Sequence, residues 1–358
     1  MLANVYKLLF LIIIFKSTIC VASEGEVCIP RQLKYHTKPD NSAHPTLHTY
    51  NYMSKLVCAL ECSEEPFCTA FSFTEQSRVC KTYGIDIEDL DSQRYEIGTN
   101  LYLWSQRCGH LPSVPNASPP TVQSSNGYPA GKRVGYSCVE GAHMVGNGES
   151  LCLSNGTWFM SSVKCVFVKT CHEADMLGIN ISPPIAIRPI DNGAVAYVIC
   201  ERRQDGVYTV IGHNLANRTH ITGHETDFSG VFPIEYTVPL ELAIGVADIS
   251  AECEQFIKFE CLRSGAHYNS FRTRTGEQAD YFAGGVKGQG DNNCACKINN
   301  ACIGQEICNC NADVGEWKDD TGYNQYKEDL PITAFLGGDT GGSDEEAKIT
   351  IGSLKCKG

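Results

Sequence analysis

Residues 58–80 read CALECSEEPFCTAFSFTEQSRVC, and this stretch decides the fold of the N-terminal part of the 358-residue chain. Cys58 and Cys62 are four residues apart, so they share one face of a helix. Apolar residues recur at helical spacing just before this stretch and into its start: Met53, Leu56, Val57 and Leu60. Residues 67–73 alternate like a strand, and another short strand is predicted to end at Cys80. The pattern predicts a helix whose two cysteines form bridges to strands packed against it.

The neighbouring residues complete a small domain over residues 23–107. A loop rich in His, Pro and Asn precedes the helix at residues 35–48, and a last strand is predicted at residues 100–104. The order of helix, strands and cysteines resembles a PAN/apple domain. The resemblance implies an α+β fold with bridges Cys58–Cys80 and Cys62–Cys68, and many members also join their two ends, here Cys28 and a cysteine near residue 108. A ligand-binding role and a purely structural one are both open for this domain.

The next block, residues 108–166, holds four cysteines and several Pro/Gly turns between short strands. It contains the V-x-Y-x-C of Val134–Cys138 and the C-x5-W of Cys152–Trp158. These features resemble an all-β sushi (complement control protein) module. The resemblance implies the bridges Cys108–Cys152 and Cys138–Cys165, with Trp158 as the core aromatic beside a disulfide. A module this small buries little apolar surface, so two disulfides are physically reasonable. The residues do not choose between a spacer and a protein-binding module.

The last block covers residues 168–358. A turn followed by a buried strand is predicted at residues 191–200, and another strand at residues 207–213. Four stretches carry a resemblance: TVIGHNLANRTHITGHE (209–225), CEQFIKFEC (253–261), CNCNADVGEWKDDTGYNQYKEDLPI (308–332) and AKITIGSLKC (347–356). They resemble the fibrinogen-like region of contactin-associated proteins, a neurexin-related cell-adhesion family, over most of residues 171–356. The resemblance implies an α+β fibrinogen C-terminal-like domain, in which we expect a Cys171–Cys200 bridge. The family's laminin-G repeats, discoidin domain and transmembrane helix have no counterpart in this sequence, so adhesion at nerve-cell membranes is not implied.

The first 22 residues predict a secretory signal peptide. Lys7 supplies a positive charge, residues 8–15 are continuously apolar, and small residues surround a cleavage point after Ala22. The alternative is an uncleaved anchor, but the apolar run is shorter than the about 20 residues of a membrane span and is followed by Lys16. Twenty cysteines fit an oxidising compartment. We therefore expect a secreted, extracellular protein with no membrane span and no lipid anchor.

Four sequons predict N-glycosylation, at Asn116, Asn155, Asn180 and Asn217. Proline follows the sequons of Asn116 and Asn180, where lower occupancy is expected. The formal net charge of −12 disfavours nucleic acid and heparin-like partners, because no basic cluster exists to bind them. The charge is compatible with cations or a mineral surface, although solubility is the simpler explanation.

The cysteine count is odd once the signal peptide and its Cys20 are removed. The pairings above and five bridges in the last block use every remaining cysteine except Cys28. Cys108, its expected partner in an apple domain, is already used by the sushi pattern. We hypothesise that Cys28 forms an intermolecular disulfide and a covalent dimer. The alternatives are a capped thiol or a cleavage site upstream of Cys20.

Metal or cation sites are the weaker interpretation of four groups of residues. Cys294-x-Cys296 and Cys308-x-Cys310 resemble a metal cluster, but disulfides to other cysteines are favoured in a secreted chain. Asp313, Asp319 and Asp320 around Trp317 are the nearest calcium candidates, against a solvated turn. Asp339, Asp344, Glu345 and Glu346 are expected to form a hydrated acidic loop, with weak cation binding as the alternative. His213, His220 and His224 lie near one another along the chain, and surface positions are favoured over a metal site. No cofactor is predicted.

Catalytic motifs are absent, including G-x-S-x-G and H-E-x-x-H, so no enzyme activity is predicted. The sequence predicts a disulfide-rich, multi-domain extracellular adhesion or recognition protein that binds protein or glycan partners. One alternative is a structural component of an extracellular or mineralised skeletal matrix. The other is a soluble lectin-like protein of immune recognition, which rests on domain analogy.

Overall fold

The computed structural model describes residues 46–51, 54–65, 67–84, 99–103, 107–118, 127–160, 162–182 and 184–358. The predicted signal peptide, Cys20, Cys28 and Trp104 lie outside these residues. The described residues divide into two compact units. Unit 1 runs to Ser137 and includes Gly146–Val163, and unit 2 consists of Cys138–Val145 and Lys164–Gly358.

The described helices are α1 Lys55–Glu64, α2 Cys171–Met176, α3 Leu240–Ile249 and α4 Ala295–Ile298, with 3-10 turns at Ala266–Tyr268, Ile303–Gln305, Asn309–Ala312 and Lys327–Asp329. The strands up to residue 166 are β1 Thr46–Tyr50, β2 Ala70–Thr74, β3 Val79–Tyr83, β4 Thr99–Leu103, β5 Arg107–Cys108, β6 Ala117–Ser118, β7 Tyr128–Pro129, β8 Arg133–Gly135, β9 Ser137–Cys138, β10 His143–Val145, β11 Glu149–Cys152, β12 Trp158–Met160 and β13 Lys164–Val166. The later strands are β14 Ile185–Ile187, β15 Ala196–Arg203, β16 Gly206–Ile211, β17 Thr219–Ile221, β18 Gly230–Pro233, β19 Glu252–Leu262, β20 Ser270–Arg272, β21 Lys318–Asn324, β22 Ala334–Gly337, β23 Glu346–Ile351 and β24 Leu354–Lys357.

The first part of unit 1 is helix α1 packed on a four-stranded antiparallel sheet with strand order β1-β3-β2-β4. The Ser54 hydroxyl caps the helix by accepting a hydrogen bond from the Val57 amide. Cys58 and Cys62 are its fully buried residues, whereas Leu56 is 49% exposed. The helical spacing therefore located the helix, but its cysteines rather than its apolar residues define the face that packs on the sheet.

Strand β3 differs from its predicted end. The sequence places the end of this strand at Cys80, but the strand runs on to Tyr83 because it pairs along its whole length with β2, from Thr74↔Val79 to Ala70↔Tyr83. The extension lets the Tyr83 hydroxyl meet the buried Ser72 hydroxyl at 2.9 Å.

The second part of unit 1 includes a three-stranded antiparallel sheet with order β12-β11-β8. Cys108, Tyr128, Val134 and Cys152 form a small buried cluster, and Trp158 packs against it. The Trp158 ring meets the Tyr128 ring edge-on at 5.2 Å, and its indole N–H donates to the Gly109 carbonyl. Trp158 thus lies beside the Cys108–Cys152 disulfide while remaining partly exposed.

Nine disulfides join all eighteen cysteines of the described residues: Cys58–Cys80, Cys62–Cys68, Cys108–Cys152, Cys138–Cys165, Cys171–Cys200, Cys253–Cys356, Cys261–Cys310, Cys294–Cys308 and Cys296–Cys302. The first five are the pairs named in the sequence analysis, and the last four give the pairing that the sequence left open. Each cysteine of the two C-x-C pairs bonds to a cysteine outside its own pair, as the short spacing requires.

Unit 2 is organised by a large antiparallel sheet with order β14-β15-β16-β24-β19-β23-β17, in which β21 also pairs with β19. Strand β19 alternates strictly between buried and outward residues, and its inner face carries Cys253, Gln255, Ile257, Phe259 and Cys261. Its pairing passes from β23 to β24 across Gly352, where one extra residue makes a β-bulge. The buried face belongs to one continuous core that also takes in helix α3.

Strand β15 was predicted as a buried strand and is instead half-buried. Ala196 and Val198 face the core, whereas Tyr197 and Ile199 are exposed. The run of apolar residues predicted burial on both faces, but only one of the two apolar faces of this strand packs on the core.

Strands β10 and β13, which belong to the sushi-like block, lie within unit 2. The His143 side chain hydrogen-bonds to the Ala186 carbonyl at 2.7 Å. Gly141 has a φ of +80°, and an added Cβ would lie 2.6 Å from Val195, so only glycine fits this approach. Residues 138–145 are therefore packed with the C-terminal block.

Candidate functional site

One group of His, Cys, Asp or Glu side chains among the described residues is close enough to hold a metal ion. It consists of Cys294, Cys308 and Asp320. The two cysteines are bonded to each other, so neither offers the thiolate that binds metals. The Asp320 oxygens accept backbone hydrogen bonds from Asn309 and Cys310 at 2.8 and 2.9 Å, and burial raises the pKa of this carboxyl group. The group is a structural anchor for the turn that begins at Asn309.

The other two calcium candidates have different neighbours. Asp319 lies on the outer side of β21, 3.6 Å from the Lys258 ammonium group, and Asp313 ends a 3-10 turn in the left-handed conformation. Asp320 points to the opposite, buried side of the strand. Because alternate residues of a strand face opposite ways, the three carboxylates do not converge as the sequence hypothesis required.

The acidic loop engages most of its carboxylates with local donors. Asp339 accepts from the Gly265 amide at 2.6 Å, and burial raises the pKa of Asp339. Glu345 accepts from the Gly342 amide, whereas Asp344 pairs with Arg263 at 3.1 Å. These carboxylates therefore chiefly stabilise the conformation of the loop itself.

The three histidines of residues 213–224 serve separate structural roles. The Nδ1 atom of His213 accepts from the Leu215 amide, so its Nε2–H donates to the Gly352 carbonyl at 2.9 Å. His220 pairs with Glu346 at 3.2 Å, and the His224 ring meets the Phe232 ring edge-on. His213 has both ring nitrogens engaged by backbone groups, which leaves it no lone pair for a metal.

The outer face of the large sheet is a candidate binding surface, which we call the outer sheet face. Its charged residues pair with one another: Arg218 binds Glu260 through two hydrogen bonds, and Lys258 lies 3.7 Å from Glu260. Two aromatic side chains remain open to solvent beside these pairs, Trp317 at 41% and Tyr323 at 50% exposure. Exposed aromatic residues among charged ones are typical of protein interfaces.

Each aromatic side chain has a neighbour that holds it in place. The Lys348 ammonium group lies 3.9 Å from the centre of the Trp317 ring, and the Tyr323 ring packs on the Phe256 ring at 5.2 Å. A fixed aromatic side chain loses little conformational entropy when a partner covers it. The sequence indicated this stretch only through its resemblance to contactin-associated proteins. Which side chains of β21 face outward is determined by the pairing of this strand with β19.

Unit 1 contains a second candidate, a cleft of about 470 Å³ whose lining includes Leu47, Phe67, Gly84, Gly131, Arg133 and Leu151. The sequence did not predict this cleft. The feature that could have predicted it is a pair of apolar residues, Leu151 and Phe159, at outward positions of the sushi-like strands. Only the strand register shows that these two residues lie on one face.

The four sequon asparagines are exposed: Asn116 and Asn155 lie in turns, Asn217 lies in a bend, and Asn180 lies in the irregular segment after α2. The Asn155 side chain oxygen accepts from both the amide and the hydroxyl of Thr157, and that of Asn180 accepts from the Ser182 amide. Within the described residues no helix is both long and apolar enough to cross a membrane.

Comparison with known proteins identifies two domains. The PAN domain model matches residues 40–108, and the Sushi repeat (SCR repeat) model matches residues 108–165. The sequence patterns predicted residues 23–107 and 108–166 for these two domains. Both are non-enzymatic domain families that mediate extracellular protein interactions, and with the many disulfides they indicate an extracellular protein.

The chain is also similar to Contactin-associated protein 1 of three mammals. It is 30% identical to the Mus musculus protein and 31% identical to the Rattus norvegicus protein, each over 207 residues. It is 30% identical to the Homo sapiens protein over 208 residues. The match covers 53% of this chain and 15% of each relative. The chain thus spans a small part of the length of these relatives.

Proposed function

We propose that this protein is secreted and acts outside cells as an adhesion or recognition protein that binds protein or glycan partners without catalysis. The observation that carries the proposal is a PAN domain and a sushi domain side by side in a chain whose described cysteines all form disulfides. Such a framework is typical of extracellular modules. Residues 1–22 would be the signal peptide, and glycans on the four sequons would fit the same route.

We assign the main binding surface to the outer sheet face of residues 168–358, the block that we propose to be fibrinogen-like. Its resemblance to the fibrinogen-like region of contactin-associated proteins and the similarity to Contactin-associated protein 1 support a binding role. The fixed and exposed Trp317 and Tyr323 are the residues that a partner would cover.

The test is saturable binding of the full-length secreted protein to cell surfaces, measured by flow cytometry. The double variant Trp317→Ala, Tyr323→Ala should lower the apparent affinity about tenfold or more, because aromatic anchors carry much of an interface's energy. Met176→Ala, which removes another exposed apolar side chain of unit 2, is the matched control and should bind like wild type. Absence of saturable binding, or equal losses in both variants, would exclude this surface.

A structural role in an extracellular or mineralised matrix is the second candidate, favoured by the net charge of −12. Sequential extraction of the native protein with salt, chelator and detergent separates the two roles. Release only by demineralisation or denaturant supports the matrix role. Release by salt supports adhesion, and release by a competing sugar supports lectin-like recognition.

A further inference from the structure

The cleft of unit 1 lies against the outer face of the sheet formed by β8, β11 and β12. Arg133 pairs with Leu151, and Leu151 pairs with Phe159, so the three side chains form one row on the same face. The opposite face carries the buried Val134, Ser150 and Cys152. The outward face of such a sheet is ordinarily polar, yet here two of its central positions are apolar.

The PAN side of the cleft is also apolar. Leu47 and Phe67 line it, and the Phe67 ring meets the Phe159 ring edge-on at 5.5 Å. The two rings remain 43% and 45% exposed despite this contact. Apolar ring surface therefore remains exposed to solvent at the Phe67 side of the cleft.

Gly84 also lines the PAN side of the cleft, where the neighbouring backbone and side chain lie close to it. A Cβ added there would lie 3.0 Å from the Phe67 carbonyl oxygen and 3.4 Å from a Leu47 methyl group. The volume of about 470 Å³ lies within the range of about 300–1,000 Å³ that is usual for small-molecule sites.

Arg133 gives the cleft its charge. It is the one charged residue in the described lining, and its partner Glu149 lies at 3.5 Å. Both side chains of this pair are largely exposed, so the ion pair is weak and easily exchanged for another anion. A guanidinium group also offers a planar fork that matches a carboxylate.

We propose that this cleft binds a small amphipathic anion, with its apolar body against Leu47, Phe67 and Leu151 and its acidic group at Arg133. Such a ligand is distinct from the macromolecular partners of the outer sheet face. Free aliphatic carboxylates and the carboxyl terminus of a peptide with a large apolar last residue share this chemistry.

The first experiment titrates the full-length protein with 8-anilinonaphthalene-1-sulfonate, an apolar ring system that carries one sulfonate, and follows its fluorescence. Saturable binding is expected. Arg133→Gln should weaken it about fivefold to tenfold, the loss expected for one charge-assisted contact at an exposed site. The matched control is Arg78→Gln, an exposed arginine in the turn between β2 and β3. Thr69, which also lines the cleft, lies at the opposite end of β2. This variant should bind like wild type.

Leu151→Trp locates the apolar part of the site. The larger side chain extends into the cleft and should abolish the saturable signal. Displacement by decanoate but not by N-acetyl-phenylalanine supports a free aliphatic carboxylate, and the reverse supports a peptide terminus. The proposal is overturned by a non-saturable signal, by equal binding of the Arg133→Gln and Arg78→Gln variants, or by full binding in folded Leu151→Trp.

Discussion

His213 shows how one side chain can tie distant segments of unit 2 together. Its two ring nitrogens bind the backbone at Leu215 and at the β-bulge of Gly352. Gln255 donates to the same Gly352 carbonyl at 3.1 Å and also contacts the Tyr236 hydroxyl. Because two side-chain donors from different segments meet at this one carbonyl, the network fixes the backbone at the bulge.

The network predicts a pH dependence of stability. Burial lowers the pKa of His213 from its ordinary value of 6.5, so folding favours the neutral ring. Its stabilisation is therefore present above pH 6.5 and is lost as the pH falls through the lowered pKa of the folded protein. His213→Gln should reduce the free energy of unfolding by about 1–2 kcal/mol at pH 7.5, and the difference from wild type should shrink in acid. Denaturant unfolding at several pH values measures this, and parallel curves would contradict it.

Asp320 and Asp319 are adjacent residues with opposite surroundings. Asp320 is buried and caps two backbone amides, whereas Asp319 is exposed. Asp320→Asn places an NH₂ group against one of these amides and should lower the free energy of unfolding by about 1–3 kcal/mol. Asp319→Asn is the matched control, with an expected change within about 0.5 kcal/mol. Equal unfolding midpoints for the two variants in guanidinium chloride would refute the role given to Asp320.

At the scale of elements, helix α1 shows that the spacing of apolar residues can predict a helix without predicting which of its faces is buried. Leu56→Gln should change the free energy of unfolding by no more than about 0.5 kcal/mol, because the side chain is half exposed. Phe71→Ala on β2 should cost about 3–5 kcal/mol, because Phe71 is buried and stacks on Tyr102 at 4.7 Å. Thermal unfolding of the full chain compares the two variants, and similar losses would mean that α1 is packed on its apolar side instead.

At the scale of the whole molecule, the nine disulfides leave Cys28 without a partner among the cysteines of the described residues. We predict a covalent dimer through Cys28, which migrates at twice the monomer mass on a non-reducing gel. Cys28→Ser should give the monomer. Cys20→Ser, the control in the predicted signal peptide, should leave the dimer intact. A wild-type monomer would show instead that Cys28 is capped or is paired with Cys20.

The sequence alone indicated the PAN and sushi domains, because their cysteine spacings and the residues beside them are local features. The same spacings sufficed to name five disulfides through family resemblance. Cys253, Cys261, Cys294, Cys296, Cys302, Cys308, Cys310 and Cys356 were left unassigned, because several partners are available at similar separations along the chain. Strand register decides among them, for example by placing Cys253 directly opposite Cys356.

For the candidate sites too, some features follow from the sequence and others only from the tertiary structure. The sequence determined which residues carry charge, aromatic rings and cysteines, and it favoured disulfides over a metal cluster because thiols are oxidised outside cells. Only the tertiary structure decided that Asp313, Asp319 and Asp320 face apart, that Trp317 and Tyr323 face outward, and that Arg133 and Leu151 line a cleft with Phe67. The physical reason is that strand pairing and packing, rather than distance along the chain, determine which side chains meet.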